Sequence, residues 1–214
     1  LPESRHRVAA VVCDPEGRSV ARAGASEEIV FWRSAAKPFQ LWPLVDRGGV
    51  ARFDLASRHL ALACASHNAE PMHRTVAAEW LERIGLDESM LACGGHPSLS
   101  PAVAEQMIRD GVSATPIWSN CSGKHAAMLA LAKLEGWPLD GYQQIDHPVR
   151  KAIAASVARW TDLDVGQLGW GVDGCTAAAV AAPLGRLALA WARLGGDDDP
   201  ALATIRAAML AHPE

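Results

Sequence analysis

Apolar positions near the start of the chain come in short runs, and most later ones recur at helical spacing. Arg7–Cys13 (RVAAVVC) reads as a strand, Asp14-Pro15-Glu16-Gly17 as a turn and Ser19–Gly24 as the returning strand. A short strand follows at Ile29–Trp32. From there the period becomes helical. Helices are predicted over Ser34–Asp46, stopped by Gly48-Gly49, over Ser57–Ala65, and over Pro71–Ile84, closed by Gly85. Ser100-Pro101 opens another, with Ser as N-cap and Pro at the first position, running to Asp110 before Gly111. Ser122–Glu135 and His147–Trp160 follow, then a strand at Gln167–Gly171 and two Ala-rich helices at 183–194 and 200–211. A hairpin followed by many helices predicts an α+β fold with a largely antiparallel sheet. No repeat or low-complexity linker divides the 214 residues.

Composition narrows the class. Half the residues are hydrophobic, mean hydropathy is +0.04 and the net charge is −4, as expected of a globular, water-soluble chain. The mild acidity gives no footprint for nucleic acid or anionic lipid. No apolar run approaches the roughly 18–20 residues of a membrane span, and the opening Leu1–Arg7 lacks the apolar core of a secretory signal. Five scattered cysteines, at 13, 64, 93, 121 and 175, point to free thiols in a reducing, cytoplasmic setting. Sixteen arginines stand against four lysines, and two of those lysines, Lys37 and Lys124, fall inside short Ser/Cys motifs. Lysine has a tunable pKa and arginine does not, so these two are candidates for chemistry.

Arg33-Ser34-Ala35-Ala36-Lys37 places Ser and Lys one turn apart at a predicted helix start. A neutral Lys amine there can take the Ser proton, as in the nucleophile element of serine β-lactamases and penicillin-binding proteins. The plainer alternative is an N-cap Ser and a solvated Lys. Ala63-Cys64-Ala65-Ser66-His67 presents Ser66 and His67 between two helices, as functional groups or as a capping turn. Cys93-Gly94-Gly95-His96 has the spacing of two zinc ligands on a turn, but no second pair accompanies it, and a turn with a buried Cys is favoured. Asn120-Cys121-Ser122-Gly123-Lys124-His125 gathers small and reactive residues ahead of an apolar helix. Asp173-Gly174-Cys175 follows a predicted strand, at an active-site rim or in an Asx-turn. The eight tryptophans read as core and seam residues, since no basic patch accompanies them.

In this order and spacing, the Ser34–Lys37, Ser66, Cys93-Gly-Gly-His-Pro, Asn120–His125 and Asp173–Cys175 motifs resemble the rhizobial-type, thermolabile L-asparaginases, the "asparaginase II" family. The resemblance implies a serine β-lactamase/penicillin-binding-protein-like α+β fold, a Ser34–Lys37 dyad with Ser34 as nucleophile, and Ser66 in a second Ser–Lys pair. It further implies Arg33, Asp173 and Asn120 contacting substrate, one zinc ion among Cys121, Lys124 and Cys175, and a homodimer. The expected reaction is hydrolysis of L-asparagine to L-aspartate and ammonia. No lysine follows Lys151, whereas the family carries one in a Gly-rich C-terminal segment. Residues 1–214 are therefore expected to be a single catalytic-domain fragment lacking that segment. The readings kept open are a serine-dependent glutaminase, a β-lactam-type acyl hydrolase, and a non-catalytic zinc or small-ligand binding module.

Overall fold

The computed structural model describes residues 2–213. At its centre stands the helix Ser122–Leu134, whose residues from Ser122 to Ala132 are all buried. Its alanines let neighbouring helices approach closely. At Gly123 an added Cβ would lie 2.6 Å from the carbonyl oxygen of Leu62, so only glycine fits that crossing. In chain order the helices are α1 (Lys37–Asp46), α2 (Gly49–Arg52), α3 (Ser57–Cys64), α4 (Pro71–Arg83), α5 (Pro101–Asp110), α6 (Ser122–Leu134), α7 (Pro148–Thr161), α8 (Leu184–Gly196) and α9 (Pro200–Ala211). Helices α1, α3, α4 and α7 pack on α6, and α9 packs on α1 and α3. Trp80, Phe39, Leu129 and Leu202 are fully buried among them.

Five strands form two antiparallel sheets among the described residues. Strands β1 (Ala10–Cys13) and β2 (Ser19–Ala23) make a hairpin. Its turn is closed by Arg18 N–H donating to Asp14 Oδ1 at 2.8 Å, and Gly17 supplies the positive φ. Strands β3 (Ile29–Phe31), β4 (Gly169–Val172) and β5 (Ala178–Pro183) form the second sheet, with β5 in the middle. The α+β expectation with antiparallel sheets holds. No helix among the described residues is long and apolar enough to cross a membrane.

The structure departs from the sequence expectation in several elements, among them helix α2, which begins at Gly49 where only the stop of the preceding helix is predicted. The first strand begins at Ala10 rather than Arg7, because its partner ends at Ala23, where Gly24 turns away with φ +64°. Strand β5 was not expected: Ala is a weak strand former, and this run lies in a sheet interior where packing overrides propensity. The strand predicted at Gln167–Gly171 is displaced to β4, preceded by a 3-10 turn at Val165–Gln167. Residues Arg33–Ala36 form a 3-10 turn, and the α-helix starts only at Lys37, with Pro38 in its first turn.

Helix α1 runs through Pro43, which has no N–H for the carbonyl of Phe39. Ser156 of α7 replaces it, its hydroxyl donating to Phe39 O at 2.7 Å. Replacing Ser156 with Ala leaves that buried carbonyl without a donor. We expect a loss of about 1–3 kcal/mol in urea unfolding; an unchanged midpoint would mean that water or helix adjustment satisfies Phe39.

Candidate active site

A cavity of about 320 Å³ opens where α1 and α6 begin and where β4 turns into β5. Arg33, Ser34, Lys37, Asn120, Cys121, Lys124, Asp173 and Cys175 all line it, together with His96, Leu99 and Gly174. A larger groove of about 420 Å³ between α3 and α4 holds no comparable set of nucleophile, amine and thiols. The sequence-predicted residues therefore converge from three separate segments, and Ser66 joins them from a fourth by hydrogen bonding.

The first segment is the 3-10 turn before α1. Trp32 N–H donates to Val180 O at 3.0 Å, tying the turn to the central strand. Arg33 then takes φ +52°, and the turn leaves Ser34 exposed to the cavity while Lys37 is 2% exposed. The Ser34 and Ser66 hydroxyls lie 2.5 Å apart. Lys37 Nζ donates to Ser66 Oγ at 2.9 Å and to the carbonyl of Ala65. The amine thus reaches Ser34 through Ser66, where the sequence reading placed it directly on Ser34 and gave Ser66 to a second pair. Burial pushes the Lys37 amine below its usual value; the Cys121 thiol works against this and nearby Lys124 adds to it.

Ser66 sits on the connection between α3 and α4, which side chains hold in place. Ser98 Oγ donates to Asn68 O, and Arg74 Nε donates to Ala69 O at 3.1 Å. Ala69 N–H donates to His67 Nδ1 at 3.1 Å, and Glu70 N–H to His73 Nδ1 at 3.2 Å. Burial pulls the His67 imidazole down to about 3, with His73 and Lys37 adding to the effect.

The third segment opens α6. Lys124, 3% exposed, donates from Nζ to Cys175 Sγ at 3.1 Å and lies 3.6 Å from Asp173 Oδ2. Burial alone would lower its pKa, but Cys121, Cys175 and Asp173 together outweigh burial and raise it. The Cys121 and Cys175 thiols act on each other as a close pair. Within that pair the Cys175 thiol is pulled down, by the Cys121 thiol first and by His125 and Lys124, while Cys121 is pushed up. Asn120 N–H donates to His96 Nε2 at 2.9 Å, and His96 Nδ1 meets Pro97 O at 2.7 Å. Both His96 nitrogens are engaged and Cys93 Sγ donates to Pro116 O, so the Cys93–His96 spacing serves a turn.

The fourth segment is the β4–β5 turn. Asp173 N–H donates to Ala177 O at 2.9 Å, Thr176 takes φ +72°, and the turn presents Asp173 and Cys175 side by side. Asp173 Oδ1 is 3.2 Å from Arg33 Nε, an ion pair without hydrogen-bond alignment, so this buried oxygen keeps an unused acceptor site.

Whether these residues suit a zinc ion can be read from the donors. Two thiols and an amine, Cys121, Cys175 and Lys124, meet beside the cavity. Among the described residues no group of three His, Cys, Asp or Glu is arranged to hold a metal, so a set here needs the lysine. The chemistry of the three donors fits zinc with one side open.

The family model described as L-asparaginase II matches residues 1–214. The chain belongs to the L-asparaginase II family. No curated protein matches it.

Two supports of this asparaginase-family site escaped the sequence reading. Ala92 N–H donates to Tyr142 Oη at 2.9 Å, and the same hydroxyl meets His125 Nδ1 at 2.7 Å. His67 Nε2 meets Ser122 Oγ at 2.9 Å. His125, Ser122 and His67 lie inside recognisable motifs, but their pairings, across 17 and 55 positions, carry no local signal.

The depressed His67 value makes stability depend on pH. Its folded value, about 3, lies below the ordinary 6.5, so the unfolded chain binds the proton more readily. The contribution is complete above about 6.5 and is lost as pH falls toward 3, amounting to about 5 kcal/mol. Urea midpoints measured from pH 7 to 4 should fall, and less steeply in His67→Gln. Equal slopes for the two proteins would show that His67 does not carry the effect.

Proposed function

We propose that the chain hydrolyses the side-chain amide of L-asparagine to L-aspartate and ammonia through an acyl-enzyme on Ser34. The observation that carries this reading is the hydrogen-bonded chain from Ser34 through Ser66 to buried Lys37, opening on a cavity that Arg33 and Asp173 also line. Family membership supports the amide substrate. The reading also likens the fold to serine β-lactamases and penicillin-binding proteins, because the Ser-x-x-Lys element stands at a helix start directly after an antiparallel strand.

In this mechanism Ser34 Oγ attacks the carboxamide carbon. Its proton passes to Ser66 Oγ, whose own proton moves to Lys37 Nζ. Reversal of that relay delivers a proton to the leaving nitrogen. The C–N bond breaks, ammonia departs, and a β-aspartyl ester remains on Ser34. Water activated through the same relay then hydrolyses the ester. Burial of Lys37 supports the base role, since a neutral amine near pH 7 requires a fall of about 3 units from roughly 10.4. The unused Asp173 Oδ1 suits the substrate's α-ammonium group, the exposed Arg33 guanidinium suits its α-carboxylate, and Asn120 offers an amide at the wall.

Zinc belongs to the proposal as one ion held by Cys121, Lys124 and Cys175, where it would polarise a nearby oxygen or fix the substrate's orientation. Deprotonating an ordinary lysine at pH 7 costs about 4–5 kcal/mol, against about 10–16 kcal/mol for structural zinc. Five unpaired cysteines fit a reducing, cytoplasmic setting.

Ser34→Ala should lower kcat for asparagine by at least about 10³-fold with an unchanged melting curve. Rapid-quench peptide mapping of the parent should find the ester on Ser34. Residual activity within tenfold would move the nucleophile to Ser66, and equal ammonia release from glutamine would shift the substrate assignment. Elemental analysis should find zinc lost in Cys175→Ser and kept in His96→Ala; the opposite pattern would remove the Cys–Lys–Cys assignment.

A further inference from the structure

Ser66 holds both Ser34 and Lys37, yet it stands on a connection with no regular secondary structure. Ser98 and Arg74 hold that connection from its outer side. His67 alone among its side chains bonds across to the start of α6, the segment that carries Cys121 and Lys124. The ring is 4% exposed and stacks on His73, with centroids 5.3 Å apart and planes at 19°. Its Nδ1 accepts the Ala69 N–H, which puts the ring proton on Nε2. Nε2–H therefore donates to Ser122 Oγ, and Ser122 is fully buried between Cys121 and Gly123. One ring thus fixes the backbone just after Ser66 and the first residue of α6 together. Ala69, with φ +54° and 1% exposed, marks how firmly this connection is held.

We propose that His67 is a positioning residue for acyl transfer. Its bond to Ser122 sets the spacing between the Ser34–Ser66–Lys37 chain and the Cys121–Lys124–Cys175 group across the cavity. The inference rests on the acyl-enzyme reading of the site. His67 touches no reacting atom in that reading; it acts through Ser66 on one side and Ser122 on the other. Misplacement of reacting groups by about 1 Å can cost about 100-fold in rate, so losing the bond should lower kcat while KM, governed by Arg33 and Asp173, changes little.

The test compares His67→Ala, Ser122→Ala, the double variant and His67→Gln in the full chain, with melting curves for each. Expected are kcat losses of about 10- to 100-fold in either alanine variant with KM within twofold. The double variant should be no worse than the poorer single one, because both remove the same bond. His67→Gln, which keeps an N–H donor near the Nε2 position, should recover most of the rate. Where His67→Ala fails to fold, Ser122→Ala and His67→Gln carry the comparison. Wild-type kcat in Ser122→Ala, additive losses in the double variant, or no recovery in His67→Gln would overturn the positioning role. A wild-type protein that neither releases ammonia from asparagine nor forms the Ser34 ester would instead overturn the acyl-enzyme reading beneath it.

Discussion

Two lysine amines buried within one site constrain everything around them. Lys37 and Lys124 are each almost wholly removed from water, and each stands in the first turn of a helix, where the backbone dipole disfavours a positive charge. The fold answers the two costs differently. Lys37 meets a carbonyl and a hydroxyl, both of which tolerate a neutral amine. Lys124 meets a thiol and a carboxylate, which favour the cation. Two like groups are thereby pushed in opposite directions, the Lys37 pKa down and the Lys124 pKa up. The central position of α6 follows from the same need. Only a helix buried from its first residue can present Lys124 and Cys121 at the floor of a cavity while Gly123 lets α3 come close enough to deliver Ser66.

Backbone conformations around the site carry the same signature. Five non-glycine residues among those described have positive φ. Asp54 and Asp162 lie at helix C-terminal ends, where Asp adopts this conformation readily. Arg33, Ala69 and Thr176 have no such excuse, and Thr is β-branched. All three flank the site: Arg33 precedes Ser34, Thr176 follows Cys175, and Ala69 closes the connection that bears Ser66. Each costs on the order of 1–3 kcal/mol and persists only because its surroundings over-determine it. The Trp32–Val180, Thr176–Ala92 and Ala69–His67 hydrogen bonds are those surroundings.

Most helices were legible in the sequence because their apolar period and their Gly, Pro and Ser boundaries agree. Helix α5, with Pro101 inside its start and Gly111 past its end, is the clearest instance. Strand β5 was not legible, because an alanine run gives no strand signal until its neighbours cover both faces. The continuation of α1 through Pro43 depends on Ser156, more than a hundred residues away. The cavity's membership was legible as separate motifs, since nucleophile, amines and thiols are rare residue types here. Its wiring was not. Four histidines, His59, His67, His73 and His147, accept a backbone N–H at Nδ1, and a sequence shows the imidazole but never the amide it faces. The link from Lys37 to Ser34 by way of Ser66 likewise depends on where the α3–α4 connection lands.

The scarcity and burial of lysine also divide the protein's amines into two chemical populations. Lys37 and Lys124 lie inside the site, whereas Lys133 and Lys151 are exposed on the outer faces of α6's end and α7. Reagents that acylate primary amines in water meet the second pair and not the first. Attachment of a polymer, a dye or a solid support through side-chain amines would therefore fall on Lys133 and Lys151, with no reactive lysine at the cavity mouth to compete.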